Sequence, residues 1–182
     1  MTKLALKWTI LTMARTDETR FIQASEIEGR GTDELLWRIP AKRMKARREH
    51  LVPLPRQAHA LLDEIEQLSE AEKSAWMFPQ TTNPKRPISE NRMLYCLYDL
   101  GYKGIATVHG FLGLASTILN EQVTADGARR FDADWIELQL AHVEANAVRG
   151  AYNAAQYLVP RRRMLQWWAD FLEDHEAVGK ML

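Results

Sequence analysis

The 182-residue sequence predicts an α+β fold, mainly α-helical with one small antiparallel β-sheet, and three observations carry that prediction. Apolar residues recur three and four apart over most of the chain, the spacing that places them on one face of a helix. One stretch, residues 35–54, breaks this rhythm and reads instead as two short strands around a basic turn. Hydrophobic residues make up 46% of the chain, enough for one sizeable core, so a single compact domain over residues 1–182 is expected.

The elements follow in order. Leu4, Trp8, Leu11 and Met13 give the first helix, with no start signal before it, which predicts a sequence that begins inside a longer protein. The run Lys3 to Ala14 is not a signal peptide, because Lys7 interrupts it and Arg15, Asp17 and Glu18 follow where small residues belong. Leu36-Trp37-Arg38-Ile39-Pro40 and His50-Leu51-Val52-Pro53-Leu54 read as the strands of a hairpin or meander. Ala58, Leu61, Leu62, Ile65 and Leu68 restore the helical period, and Ser69 with Glu72 would open a further turn as a capping box.

Residues 79–87 read as a polar, proline-bearing loop. Ser89 is the expected N-cap of a helix through Met93, Leu94, Leu97 and Leu100 that Gly101 ends. A further helix is expected from near Thr107 to about Gln122, a loop over residues 127–132, a short helix from Asp134 to Leu140, and a last helix from about Pro160 to Glu173. No internal repeat or low-complexity segment is visible.

Composition excludes little. Acidic and basic side chains balance at 24 each, so any nucleic-acid binding must come from a local patch. The single cysteine, Cys96, can form no internal disulfide and suggests no thiolate metal site; a reducing cytosol fits, and no cofactor or metal is expected. No segment reaches the roughly 20 continuous apolar residues of a membrane span.

Among polar residues, Arg15, Lys45, His109, His142 and Tyr152 merit attention, although each alone also reads blandly: a solvated arginine, structural histidines, a half-buried aromatic. Lys42, Arg43, Arg47 and Arg48 gather beside Lys45, either as a solvated hairpin tip or as a strip contacting DNA phosphates, and the DNA reading is favoured. Lys85, Arg86 and Arg161 to Arg163 could add backbone contacts, with solvation of the last helix as the alternative for the three arginines. Trp167, Trp168 and Phe171 read as packing rather than base stacking.

The joint pattern resembles the tyrosine recombinases, closest to the integrases of prophages and genomic islands. Arg15-Thr16-Asp17-Glu18 is similar to that family's first arginine box. Trp37-Arg38-Ile39-Pro40, Met44-Lys45 and Val52-Pro53-Leu54 resemble its hairpin with the catalytic lysine. Thr107-Val108-His109-Gly110-Phe111 with Ala115-Ser116-Thr117 resembles the box that supplies a histidine and, three residues on, a second arginine. Gln139-Leu140-Ala141-His142 and Ala151-Tyr152-Asn153 resemble the second histidine motif and the nucleophile segment. Five boxes occur in order along effectively the whole chain.

The resemblance implies a tyrosine recombinase catalytic domain, without the arm-binding and core-binding domains that normally precede it. It implies site-specific DNA cleavage and rejoining: Tyr152 attacks the scissile phosphate and becomes linked to a DNA 3′ end, Lys45 protonates the leaving 5′ oxygen, His109 assists proton transfer, and Arg15 and His142 hold the phosphate. Glu18 would orient Arg15 or His109. The implied partner is double-stranded DNA at attachment sites, with self-association on DNA in the full-length protein, no membrane partner, and a bacterial cytoplasmic, nucleoid-associated location.

Two positions depart from the pattern. Leu112 stands where the second arginine is expected, and loss of such a contact typically costs about 3 to 4 kcal/mol in the transition state. Ala24 stands where the family usually has a tryptophan, which predicts a packing gap near the first helix. A non-cleaving DNA-binding remnant is therefore the alternative to an active integrase, with a helical interaction domain and a topoisomerase of related chemistry behind both.

Overall fold

The computed structural model describes residues 1–71, 74–141 and 156–181. Its helices are α1 (Thr2–Thr12), α2 (Thr16–Arg20), α3 (Gln57–Ala71), α4 (Arg92–Asp99), α5 (Val108–Glu121), α6 (Ala133–Gln139) and α7 (Leu158–Met181). Strands β1 (Ile27–Glu28), β2 (Leu36–Ile39) and β3 (His50–Pro53) form an antiparallel sheet in that order, and β4 (Pro79–Gln80) pairs with β5 (Asn83–Pro87) as a separate ribbon. The mainly helical architecture with a small antiparallel sheet is the one expected.

Helix α1 is the centre of the molecule, touching α2, α3, α4, α5 and α7. Leu4, Ala5, Leu6, Trp8, Leu11 and Thr12 are all buried, so the helix is enclosed rather than amphipathic. Thr9 and Thr12 satisfy their hydroxyls on the carbonyls of Ala5 and Trp8, which is what lets polar residues sit in such a helix. Trp8 meets Trp37 of β2 edge to face at 5.7 Å, joining helix and sheet, and Trp168 of α7 donates its ring N–H to the Ile10 carbonyl at 3.0 Å.

In the sheet, Trp37 lies opposite Val52 and Ile39 opposite His50. The alternation turns Trp37, Ile39, His50 and Val52 inward, and all four are buried. The reading of residues 35–54 as two strands holds; β1 escaped it because a two-residue strand has no period to detect.

Several boundaries differ from expectation. Residues 79–87 form the β4–β5 ribbon, with Pro79 opposite Pro87; prolines donate no ladder hydrogen bond, so their density hid an edge pair that tolerates them. Asn91, not Ser89, takes the N-cap of α4, while the Ser89 carbonyl accepts from the Arg92 N–H in the turn before it. Helix α3 runs through Ser69 to Ala71, and Glu72, the other half of the expected capping box, lies outside the described residues. Helix α7 extends beyond the expected span at both ends, with Pro160 in its first turn, where no N–H is needed. Ala24 opens a short 3-10 turn and is exposed, so no core gap arises there.

Gly101 at φ +89° and Thr107, whose hydroxyl accepts from the Gly110 N–H at 3.0 Å, end α4 and begin α5 as expected. Among the described residues no helix is long and apolar enough to cross a membrane.

Candidate active site

Arg15 owes its place to a break between two helices. Met13 adopts the left-handed conformation at φ 55° and ends α1, and Arg15 in extended conformation N-caps α2. Glu18, one turn on, accepts the Arg15 backbone N–H through Oε2 at 2.8 Å and faces its guanidinium through Oε1 at 3.5 Å. The other end of the guanidinium donates from Nη2 to the carbonyl of Ala141 at 3.0 Å. About a third of the Arg15 side chain stays accessible, at 32%, whereas Glu18 is buried. Burial pushes the Glu18 carboxyl above its usual range, opposed by the Arg15 N–H and by the Arg15 and Arg43 cations. Of the two groups that Glu18 was expected to orient, Arg15 is the one it touches.

The Ala141 carbonyl belongs to a turn held from several elements. Gln139, at the end of α6, is 1% exposed. Its Nε2 donates to the Thr12 carbonyl of α1 at 2.7 Å, and its Oε1 accepts from Arg161 Nη2 of α7 at 2.7 Å. Its own carbonyl lies 3.2 Å from Nε2 of His50 on β3. Ala141 itself takes a left-handed conformation at φ 51°.

His50 was not singled out by the sequence reading. Burial, with the nearby Arg161 and Arg15 cations, pushes its pKa down to about 3, so it is a neutral imidazole donating to Gln139. The signal was available: His50 shares the inward parity of Val52 along β3. Arg161 is a correction, because it neither reaches for DNA nor solvates the last helix. It is fully buried, and burial pushes its pKa down to about 9. Its spacing to Met164, Leu165 and Trp168, three, four and seven residues on, marks the core-facing stripe of α7. Arg162 donates instead to the Leu35 carbonyl and to Glu34, and Arg163 is exposed.

The β2–β3 connection carries Lys45 on an exposed turn, above the buried Met44. Lys42, Arg47 and Arg48 are exposed beside it, Arg47 in the left-handed region at φ 53°. Arg43 departs from the expected strip: its guanidinium turns inward to pair with Glu26 and to donate to the Glu18 carbonyl. Glu26 also accepts the Trp37 ring N–H at 3.0 Å, so Arg43 is tied to the sheet rather than presented to a partner. Phe21, Trp76, Lys42 and Arg38 line an open groove of about 420 Å³ beside this pair.

His109 is exposed in the first turn of α5. Leu112 lies on the buried stripe of α5 with Val108, Ala115 and Leu119, at 8% exposure. Three residues turn a helix by about 300°, so Leu112 sits roughly 60° around from His109 and faces the core. His142 and Tyr152 lie outside the described residues.

Comparison with known proteins bears on this arrangement. The model of the phage integrase family matches residues 1–158. The prophage integrase IntA of Escherichia coli K12 is 37% identical over 97% of this chain and 40% of its own length. IntZ of the same strain is 42% identical over 93% of this chain and 39% of its own length. The integrase of Shigella phage Sf6 is 37% identical over 94% of this chain and 42% of its length. The chain thus spans about two fifths of the length of these relatives. No solved structure matches. With the family model matching residues 1–158 and the relatives aligned along almost the whole sequence, the chain belongs to the phage integrase family.

Proposed function

We propose that this chain is the catalytic domain of an integrase that cuts and rejoins DNA at attachment sites through a 3′-phosphotyrosyl intermediate. The observation that carries the reading is the seat of Arg15: partly accessible, aimed by Glu18, and hydrogen-bonded to the carbonyl of Ala141, the residue next to His142. A bidentate cation and a histidine segment are thereby joined, as a phosphate clamp requires.

In this reading the Tyr152 oxygen attacks phosphorus as the bond to the 5′ oxygen breaks. Lys45 protonates that oxygen from its exposed turn, and His109 assists proton transfer. Arg15 and His142 hold the non-bridging oxygens through the pentavalent transition state. The phosphotyrosyl bond keeps the energy of the broken ester, so resealing needs no ATP. Lys42, Arg47 and Arg48 flank Lys45 as cations for the DNA backbone. The partner is double-stranded DNA, the full-length protein self-associates on it, and the compartment is the bacterial cytoplasm with its nucleoid.

Leu112 favours a second reading, a domain that binds DNA without cutting it. An aliphatic side chain turned into the core offers no donor to the transition state, and its absence slows cleavage by about 100- to 1000-fold. Incubation with a nicked suicide duplex, which traps even slow cleavage, separates the two. The integrase reading predicts that a covalent adduct accumulates slowly with the parent chain and faster with Leu112→Arg, provided the melting temperature shows that the buried site accepts the larger side chain. Duplex binding with no adduct from either chain supports the non-cleaving reading.

A further inference from the structure

The three consecutive arginines at the start of α7 have different fates, and Arg161 is the one without solvent. Among the described residues its guanidinium meets no carboxylate. Nη2 donates to Gln139 Oε1 at 2.7 Å, Nη1 donates to the Gln156 carbonyl at 3.1 Å, and Nε has no partner. A buried cation that meets only neutral oxygens among the described residues is an unfavourable way to fill space, and an apolar side chain of similar length commonly packs as well or better. Packing therefore gives no reason for an arginine here, whereas its hydrogen bonds do.

The shorter of those two bonds, from Nη2, reaches Gln139. This residue is also tied to Thr12 of α1 and, through its carbonyl, to His50 of β3, so α1, β3 and α7 all fix the end of α6. Two residues on, the Ala141 carbonyl receives Arg15. The chain of contacts from Arg161 to Arg15 thus runs through one side chain and one short turn.

We propose that Arg161 is a positioning residue for the phosphate-binding Arg15. By gripping Gln139 it fixes the turn whose Ala141 carbonyl aims the Arg15 guanidinium, and it acts without touching DNA. The inference rests on the integrase reading above and adds a residue to it.

The test is a double-mutant cycle in single-turnover cleavage of the suicide duplex, in whichever of the parent and Leu112→Arg chains cuts faster. Arg161→Met is combined with Arg15→Lys, with duplex affinity and cooperative thermal unfolding recorded for each variant. Arg161→Met is expected to bind duplex about as tightly as its parent while its cleavage rate at saturating DNA falls about ten- to a hundredfold, the scale of a misplaced reacting group. Arg161→Lys, which can still reach Gln139, recovers part of that loss. In the Arg15→Lys background Arg161→Met has little further effect, because its route to the phosphate is already broken.

Parent-like cleavage by Arg161→Met, or an equal loss with and without native Arg15, overturns the proposal. If Arg161→Met does not fold, the same cycle with Arg161→Leu, which likewise cannot donate to Gln139, decides by the same criterion. No adduct from either starting chain overturns the integrase reading and this inference together, whereas cleavage with an additive cycle overturns this inference alone.

Discussion

The turn at Gln139 to Ala141 and the β2–β3 connection both carry groups that a DNA-cutting enzyme needs, but they hold them in opposite ways. At the turn, Gln139, His50 and Arg161 are buried, and α1, β3 and α7 meet on one amide side chain. On the connection, Lys42, Lys45, Arg47 and Arg48 are exposed, on a segment anchored from below by Met44 and by the Arg43–Glu26 pair. A fixed seat suits the role proposed for Arg15, which is to meet a phosphate at one angle. A solvated loop suits the roles proposed for the connection: cations that follow a DNA backbone and a lysine that delivers a proton. The two regions should therefore fail differently: damage at the turn costs stability first, and loss of the connection's exposed cations costs DNA binding alone.

The largest stability loss is expected at the turn. Gln139→Leu removes the acceptor of Arg161 and the donor to Thr12, leaving a buried cation and a buried carbonyl short of partners, which together typically cost about 3 to 4 kcal/mol. Denaturant unfolding should register it as a lower midpoint with an unchanged slope. A loss under about 1 kcal/mol would show that the turn is not the rigid half of the comparison.

Next comes Glu26, which holds the base of the basic connection. Glu26→Ala leaves Arg43 and the Trp37 ring N–H without their acceptor, and about 2 to 3 kcal/mol should be lost in the same assay. A near-neutral Glu26→Ala would mean that the connection is held by Met44 and by the Arg43 bond to the Glu18 carbonyl.

Acid should find the turn as well. The folded pKa of His50, about 3, lies below its ordinary 6.5, so between these values the unfolded chain binds a proton that the folded chain refuses. Stability should therefore fall as pH drops through this window, with His50 contributing up to about 1.4 kcal/mol per pH unit, and be independent of His50 above it. Unfolding midpoints of the parent and His50→Phe from pH 7 to 4 check this: the parent should show the steeper loss, and parallel curves would refute it.

The smallest effects on the fold belong to the connection. Lys42→Ala and Arg47→Ala should each change stability by under about 0.5 kcal/mol. Each should weaken duplex binding and lower the salt dependence of the affinity by roughly one unit of slope. Arg43→Ala should do the reverse, destabilising the fold with little change in that slope.

The same contrast governs how much was legible beforehand. Residues 35–54 announced two strands, and the apolar stripes of α3, α4, α5 and α7 announced helices, because repeated patterns survive local variation. Single-residue facts were harder. Arg43 and Arg161 sat in basic runs that composition reads as one solvated patch, yet each is singled out by what lies opposite it in space, Glu26 for one and Gln139 for the other. Inward parity on β3 and the helical spacing to Trp168 would have separated His50 and Arg161 from their neighbours. The partnership of Gln139 with Thr12, 127 residues away in sequence, has no local signal. Arg15 could be named from its box, while its contact with Ala141 had to come from the fold.

The most direct test of the integrase account is to map the covalent bond. The chain is incubated with the nicked suicide duplex, digested, and the nucleotide-bearing peptide sequenced by mass spectrometry, with Tyr152→Phe as control. The account predicts a 3′-phosphoryl adduct on Tyr152 that is absent from the Tyr152→Phe chain. An adduct on another residue, or one that survives Tyr152→Phe, would contradict it.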